Sequence, residues 1–207
     1  MPCPLIGNLS RGLIFVLSAP AGTGKTTLVS MLTHEFPTVV ASVSYTTRLP
    51  RPGEQEGVHY HFITEREFVQ RQEAGEFLED VELYGYRYGT SKVWIQEHLA
   101  KGEHVFLVID TQGAMFLKDK IEATYIFVRP PSFEELERRL TSRRTESEEV
   151  VQKRLAWAKK EVGCTHFYDY KIVNDDLEKT YQVLKSIIIA EVHKENITQK
   201  FYDHEEK

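Results

Sequence analysis

The sequence predicts an α/β protein built on a parallel sheet, from three observations along its 207 residues. Short apolar runs without period-2 alternation, at residues 13–17 and 105–109, have the pattern of strands buried on both faces of a sheet. Segments of helical periodicity separate these runs, and strands alternating with helices of ten or more residues mean right-handed crossovers and parallel pairing. A Gly-containing turn, Ala19-Pro20-Ala21-Gly22-Thr23-Gly24-Lys25-Thr26, joins the first strand to the first helix.

Each element has a local reason. The first helix, residues 26–36, places Leu28, Met31, Leu32 and Glu35 at helical spacing, and Pro37 ends it. A second apolar run at 39–43 leads into a loop rich in Pro, Gly and charge at 47–57. Thr64-Glu65-Arg66-Glu67 is a capping box that opens a helix stopping at Gly75. Residues 91–100 form another helix, closed by Lys101-Gly102. Buried strands follow at 105–109 and 125–128, with a short helix at 112–118 between them. Ser132-Phe133-Glu134-Glu135 is a second capping box, and its helix runs to Ser142. A long charged helix at 147–162 precedes a strand at 171–173. The last helix starts at Asp176 and lines up Leu177, Tyr181, Leu184, Ile188 and Val192. Residues 60–63 and 84–88 are short, aromatic-rich and interrupted by Gly, which predicts a small insert with its own strands over 44–90. A helical arm with a charged tip is a second insert, and the tail beyond Asn196 is polar.

Composition bounds the function. The formal charge is −5 and hydrophobic residues make up 41% of the chain, so disorder and a broad nucleic-acid or anionic-membrane surface are both excluded. The acidity is uneven: residues 129–160 hold nine Lys and Arg against six Glu, so the cations concentrate in one segment. Cys3 and Cys164 are too few for a disulfide framework, and no His/Cys spacing resembles a zinc site. No run approaches the roughly 20 residues of a membrane helix. The stretch 13–17 followed by Ala19-Pro20-Ala21 imitates a signal peptide, but its apolar part is short and cleavage would destroy the Gly-rich turn. The expectation is a cytoplasmic chain. Cys164, Trp94 and Trp157 read as packing.

The turn matches G-x-x-x-x-G-K-[ST] except that Ala19 stands at the opening Gly. Gly22 and Gly24 let backbone N–H groups turn inward around a phosphate, and the helix N-terminus adds its positive dipole end. Lys25 then reaches the β- and γ-phosphates, and the Thr26 hydroxyl is placed to ligate Mg²⁺. Within the insert, Arg48 and Arg51 lie three residues apart among prolines, which stiffen the loop and lower the entropy lost when both guanidinium groups converge on one anion. Tyr60, Glu79, Tyr88 and Thr90 add hydroxyls and a carboxylate. Taken singly they are bland, since a Tyr in an aromatic-rich sheet is usually core and Glu79 beside Asp80 and Glu82 is usually solvated.

Taken together, these residues resemble the guanylate kinase family. The resemblance runs in order from about residue 11 to 192: the phosphate loop; Ser44 to Phe62 with Thr46-Thr47-Arg48, Pro50-Arg51 and Gly53-Glu54; Gly75 to Glu79; Tyr88-Gly89-Thr90; Ile109-Asp110 and Gln112-Gly113; Pro130-Pro131-Ser132; Arg143, Thr145 and Glu146; and Val173 to Asp176. It implies a three-layer P-loop NTPase fold with a parallel sheet, a small mixed GMP-binding insert and a helical lid. It also implies transfer of the γ-phosphoryl group of ATP to GMP, with Mg²⁺ accompanying ATP. Core segments at 11–43, 91–137 and 156–195 would flank a GMP-binding subdomain at 44–90 and a lid at 138–155, with a tail at 196–207, all in one catalytic domain. ATP would be held by Ala19, Pro20, Ala21, Gly22, Thr23, Gly24, Lys25, Thr26 and Thr27, with Asn174 near the adenine. Arg48, Arg51, Tyr60 and Tyr88 would hold the GMP phosphate; Ser44, Glu79 and Thr90 would read guanine, with Asp110 nearby. Lys25 and the lid residues Arg139, Arg143 and Arg154 would close on the transferring group.

Guanine presents two N–H donors side by side, which one carboxylate can accept, whereas adenine would leave Glu79 facing a lone pair. Three positions depart from the family pattern: Ala19; Val108, where many relatives carry an acid; and Arg144, where Gly commonly follows the lid arginine. Two alternatives remain at this stage. One is a monophosphate kinase with another acceptor; the other is a guanylate-kinase-like protein-binding scaffold, although such scaffolds typically erode the phosphate loop that Gly24-Lys25-Thr26 keeps intact here.

Overall fold

The computed structural model describes residues 5–7, 9–142 and 148–194. Five strands form the central sheet: β1 (Ile14–Ser18), β2 (Val39–Ala41), β7 (His104–Val108), β8 (Thr124–Arg129) and β9 (Tyr170–Val173). They pair in the order β2-β7-β1-β8-β9, and every pair is parallel.

The apolar runs lack alternation because both faces are covered. Phe15 and Leu17 of β1 point into one layer, with Phe106, Leu28 and Leu32 of α1 (Lys25–Glu35), and Tyr181, Leu184 and Ile188 of α7 (Leu177–Val192). Val16 points into the other layer, with Val105, Leu107, Ile95 and Leu99 of α3 (Lys92–Ala100), and Ala114 and Leu117 of α4 (Thr111–Leu117). Fully burying one such side chain contributes about 1.5–3 kcal/mol. Three layers result, as the fold class requires.

A second sheet contains β3 (Tyr45–Thr46), β4 (His61–Phe62), β5 (Phe77–Leu83) and β6 (Tyr86–Ser91), in the mixed order β4-β3-β6-β5. It carries α2 (Glu65–Glu73), whose capping box forms as expected: the Thr64 side chain accepts from the Glu67 N–H at 3.2 Å and the Glu67 carboxylate accepts from the Thr64 N–H at 2.8 Å. Finally α5 (Phe133–Ser142) and α6 (Glu148–Gly163) pack on each other through Leu136, Leu140, Val151, Leu155 and Ala158.

Two differences from the sequence reading have physical causes. β5 carries three acids and has no strand-like pattern, yet it pairs with β6 over its whole length. It is an edge strand, where Glu82 faces water without harm and Asp80 is half-buried, while Glu79 points inward. Likewise β6 begins at Tyr86 because Tyr84-Gly85 forms the two-residue hairpin turn, with φ of 56° and 79°. Positive φ at both positions suits the right-handed twist of the flanking strands.

The carboxyl ends of β1, β7, β8 and β9 open on one side of the sheet, the position where folds of this kind bind ligands. At the opposite end of β7, His104 is fully buried. Its Nδ1 accepts from the Leu13 N–H at 3.3 Å and its Nε2 donates to the Gly7 carbonyl at 3.0 Å, a pattern only the neutral ring can satisfy. Burial holds its pKa below 6.5. The unfolded chain therefore binds this proton first, and the ring's contribution is complete above about pH 6.5 and declines as pH falls below it. In thermal unfolding at pH 7.5 and pH 5.5, the stability difference between the wild type and His104→Gln should shrink at the lower pH. A difference independent of pH would contradict the neutral clamp.

Candidate active site

β1 ends at Ser18, and the chain turns through the phosphate loop into α1. The loop is closed by the Thr23 N–H donating to the Pro20 carbonyl at 3.2 Å. Gly24 is the N-cap of α1 at φ 92°, a left-handed conformation that glycine adopts at little cost, and it offers no side chain to cap the helix. The first N–H groups of α1 therefore keep no side-chain cap and face an anion site. Ala19 is buried and outside the left-handed region, so the missing opening Gly costs the turn nothing. Asn174, at the end of β9, is also buried; its amide donates to the Thr23 carbonyl at 2.6 Å and accepts from the Thr180 hydroxyl at 3.0 Å. Its amide is thus committed to holding the loop in shape. Thr26 and Thr27 are exposed at the start of α1.

Lys25 donates to the Ala19 carbonyl at 3.4 Å. Burial lowers its pKa, while Glu161 and then Asp110 act against that shift. Glu161, on α6, is 5% exposed; burial raises its pKa to about 7, against the pull of Lys25, with Asp110 adding to the rise. The Thr111 N–H at the start of α4 also acts on this carboxyl, against the rise. Asp110 caps α4, accepting from the Gly113 N–H at 2.9 Å.

On the second sheet, Arg48 is 8% exposed and held by Glu54 in a two-pronged ion pair, 2.9 Å on each prong, with a third bond to the Leu49 carbonyl at 2.8 Å. Glu54 also accepts from the Arg51 N–H at 2.7 Å. Tyr60 lies 5.3 Å beneath the Arg48 guanidinium and meets Tyr88 edge-on at 5.8 Å. Arg48, Tyr60 and Tyr88 therefore form one cluster, with Arg51 within its electrostatic reach. The loop does not leave both arginine forks waiting for an anion: one edge of Arg48 already grips Glu54. Ser44 sits half-buried just before β3, its carbonyl accepting from the His61 N–H at 2.9 Å.

Glu79 is buried at 3% exposure, contrary to the solvated reading of its acidic surroundings. A register irregularity between Phe77 and Glu79 sets Glu79 directly opposite Thr90 across β5 and β6. The Thr90 hydroxyl donates to one carboxyl oxygen at 2.5 Å, while the other oxygen is buried without a partner. Burial raises this pKa to about 7; Thr90 acts against the rise, and Asp110 and Asp80 add to it. Gly113 backs the unpartnered oxygen closely: a Cβ there would lie 2.8 Å from it. An unsatisfied buried acceptor is costly, of order 1–3 kcal/mol.

Of the three lid arginines expected from the sequence, Arg139 is paired with Glu135 at 2.7 Å, and Glu135 is drawn to about 2 by Arg138 and Arg139. Arg154 is half-buried on α6, within electrostatic reach of Tyr84. Arg143 lies outside the described residues. Sequence reasoning missed Glu54, Glu161 and Gly113 as site residues. Glu54 had a local signal, an acid closing a loop with two arginines. Glu161 had none, because its neighbours Lys25 and Asp110 are distant in sequence. No group of three or more His, Cys, Asp or Glu side chains that could cage a metal occurs among the described residues, and no described helix is long and apolar enough to cross a membrane.

Known proteins resemble this chain over most of its length. The family model described as guanylate kinase matches residues 11–191. A guanylate kinase of Protochlamydia amoebophila is 56% identical over 91% of this chain and 95% of its own, and one of Chlamydia felis is 49% identical over 87% and 89%. The crystal structure of guanylate kinase from Anaplasma phagocytophilum superposes with a TM-score of 0.75 at 37% identity, covering 91% of this chain and 90% of that one.

The Asn174 clamp is directly testable. Asn174→Ala leaves the Thr23 carbonyl without its buried partner, a cost of about 1–3 kcal/mol, while the Thr180 hydroxyl keeps the Asp176 carbonyl at 2.7 Å. The expected outcome is a melting temperature lower by about 2–8 °C, with faster amide exchange confined to the phosphate loop. Unchanged exchange there would show that the loop holds its shape without the clamp.

Proposed function

The chain belongs to the guanylate kinase family and transfers the γ-phosphoryl group of ATP to GMP, and we propose that it does so in the cleft between its two sheets. The observation that carries this assignment of residues is the carboxyl of Glu79, bonded to Thr90 through one oxygen and open at the other. Two adjacent N–H donors of guanine satisfy such a carboxylate; the lone pair that adenine presents at the same place repels it. Ser44 supplies a hydroxyl for the remaining edge of the base, Thr90 holds the Glu79 carboxyl with its own, and Asp110 stands beside Glu79. The acceptor phosphate is held by Arg48, Arg51, Tyr60 and Tyr88. Glu54 keeps the Arg48 fork already oriented, so little side-chain entropy is lost on binding.

ATP lies with its phosphates in the loop of residues 19–27. The uncapped N–H groups of α1 and the Lys25 ammonium face the β- and γ-phosphates. The donors present fit a magnesium ion that arrives on the triphosphate, because a protein cage of acids is lacking among the described residues while the Thr26 hydroxyl is exposed at the loop. Bound there, Mg²⁺ offsets charge on the β- and γ-oxygens. Phosphoryl transfer needs no covalent intermediate and no strong base: the acceptor oxygen and the leaving oxygen have to be in line, and cations must meet the developing charge. Lys25 supplies part of that charge, and Arg139, Arg143 and Arg154 supply the rest as the lid segment 138–155 moves over the acceptor subdomain 44–90. Closure keeps water from taking the phosphoryl group. The substrates are free nucleotides, with neither nucleic acid nor membrane involved, and the setting is the cytoplasm.

Two measurements test these roles. Lys25→Ala should lower kcat by at least about 10²-fold through lost stabilisation of the transition state; near-normal turnover would remove Lys25 from the machinery. Gly113→Ala pushes a methyl group against the open oxygen of Glu79, although Ala favours the helix by about 1 kcal/mol. KM for GMP should rise about 10-fold with KM for ATP nearly unchanged, and Glu79→Gln should raise it about 10²-fold or more while reducing the preference for GMP over AMP. Parallel shifts in both KM values would take the guanine edge away from Glu79.

A further inference from the structure

Tyr84 is the one non-glycine among the described residues with positive φ, 56°. It occupies the first turn position of the β5–β6 hairpin, where Asn, Asp or Gly are the usual residues because a bulky side chain crowds the backbone in the left-handed region. A large aromatic ring in that conformation is retained where the ring itself is needed. The ring reaches across to α6: Tyr84 and Trp157 have centroids 5.8 Å apart at an interplanar angle of 58°. The Tyr84 hydroxyl is within electrostatic reach of Glu161 and Arg154 on the same helix, of Asp110 at the start of α4, and of Tyr88 on its own sheet. Arg154, Trp157 and Glu161 are spaced at i, i+3 and i+7, so they share one face of α6. At its two ends that face carries a lid arginine and the carboxyl beside Lys25.

We propose that Tyr84 is a positioning residue that joins the acceptor sheet to α6 through Trp157, so that GMP on the sheet and ATP in the phosphate loop strengthen each other's binding and set Arg154 over the cleft. This rests on the assignment of GMP to the second sheet and of Arg154 to the phosphoryl side. The hairpin is continuous with the strands that hold Glu79, Tyr88 and Thr90, so ordering of those strands by GMP is passed to the turn. From the turn it passes to α6 by ring contact, and Glu161 on α6 lies within electrostatic reach of Lys25 in the phosphate loop. A ring pair of this kind shifts an equilibrium by about 2- to 10-fold, and coupling between sites is reciprocal.

The chain has two tryptophans, so Trp94→Phe leaves Trp157 as a single fluorescent reporter. In that background, GMP binding should change Trp157 emission, and a non-hydrolysable ATP analogue should tighten GMP binding. Tyr84→Gly suits the positive φ and keeps the hairpin, so the variant is expected to fold with an unaltered melting temperature. It should abolish the GMP-induced change in emission, reduce the synergy about 2- to 10-fold towards unity, and lower kcat more than it raises KM for GMP. Tyr84→Phe keeps the ring and should behave as the parent. Synergy and emission response equal in Tyr84→Gly and Tyr84→Phe would overturn the proposal. Loss of both with kcat intact would uphold the ring contact and overturn the placement of Arg154.

Discussion

Three carboxyl groups converge on a cleft that offers them one buried ammonium. Lys25 feels Glu161 and Asp110, and Asp110 in turn acts on both Glu161 and Glu79. Burial disfavours the charges on Lys25, Glu161 and Glu79, and Lys25 pulls against the rise at Glu161 alone of the two buried acids. Glu161 and Glu79 respond by rising to about 7, where each holds its proton part of the time. The rest of the site follows from that shortage of positive charge. Hydrogen-bond donors are recruited to the carboxyls wherever the backbone allows: Thr90 to Glu79, the Gly113 N–H to Asp110, the Thr111 N–H to Glu161. One oxygen of Glu79 is left over, and the proposed ligand, guanine, would bring donors of its own.

The scaffold can hold this arrangement because its strands end there. The parallel sheet is sealed on both faces by helices, and its stability comes from Phe15, Leu17, Val16 and their neighbours, which take no part in the chemistry. The strand ends carry the phosphate loop, Asp110 and Asn174, so small shifts in the cleft are resisted by a rigid frame. The acceptor sheet is joined to this frame through α3, which follows β6 directly, and through α4. Gly113 of α4 lies against Glu79 of β5, the hairpin meets α6 through Tyr84 and Trp157, and α5 and α6 hold each other through their own small core.

What could be read from the sequence divides along the same line. Strands β1 and β7, the capping box at Thr64 and the phosphate loop are determined by neighbours in the chain, so their chemistry is visible in the residues themselves. β5 was illegible because its three acids argue against a strand until β6 is placed beside it. The burial of Glu79 depends on that pairing, on a register irregularity and on a helix whose Gly113 admits the carboxyl. Glu161 and Trp157 looked like ordinary positions of a charged helix; their partners Lys25 and Tyr84 lie in other parts of the chain. Asn174 carried a family expectation about adenine, while its amide is occupied by the loop carbonyl of Thr23 and by Thr180.

The central claim is that the open carboxyl of Glu79 receives guanine in its ionised form. Because burial holds that group near 7, about half of the sites carry a proton at neutral pH and must release it when GMP binds. Titration calorimetry at pH 7 in buffers of different ionisation enthalpy measures that release. The wild type should release about half a proton more per GMP bound than Glu79→Gln, the phosphate of GMP contributing equally to both. Equal proton release by the two proteins would contradict the account.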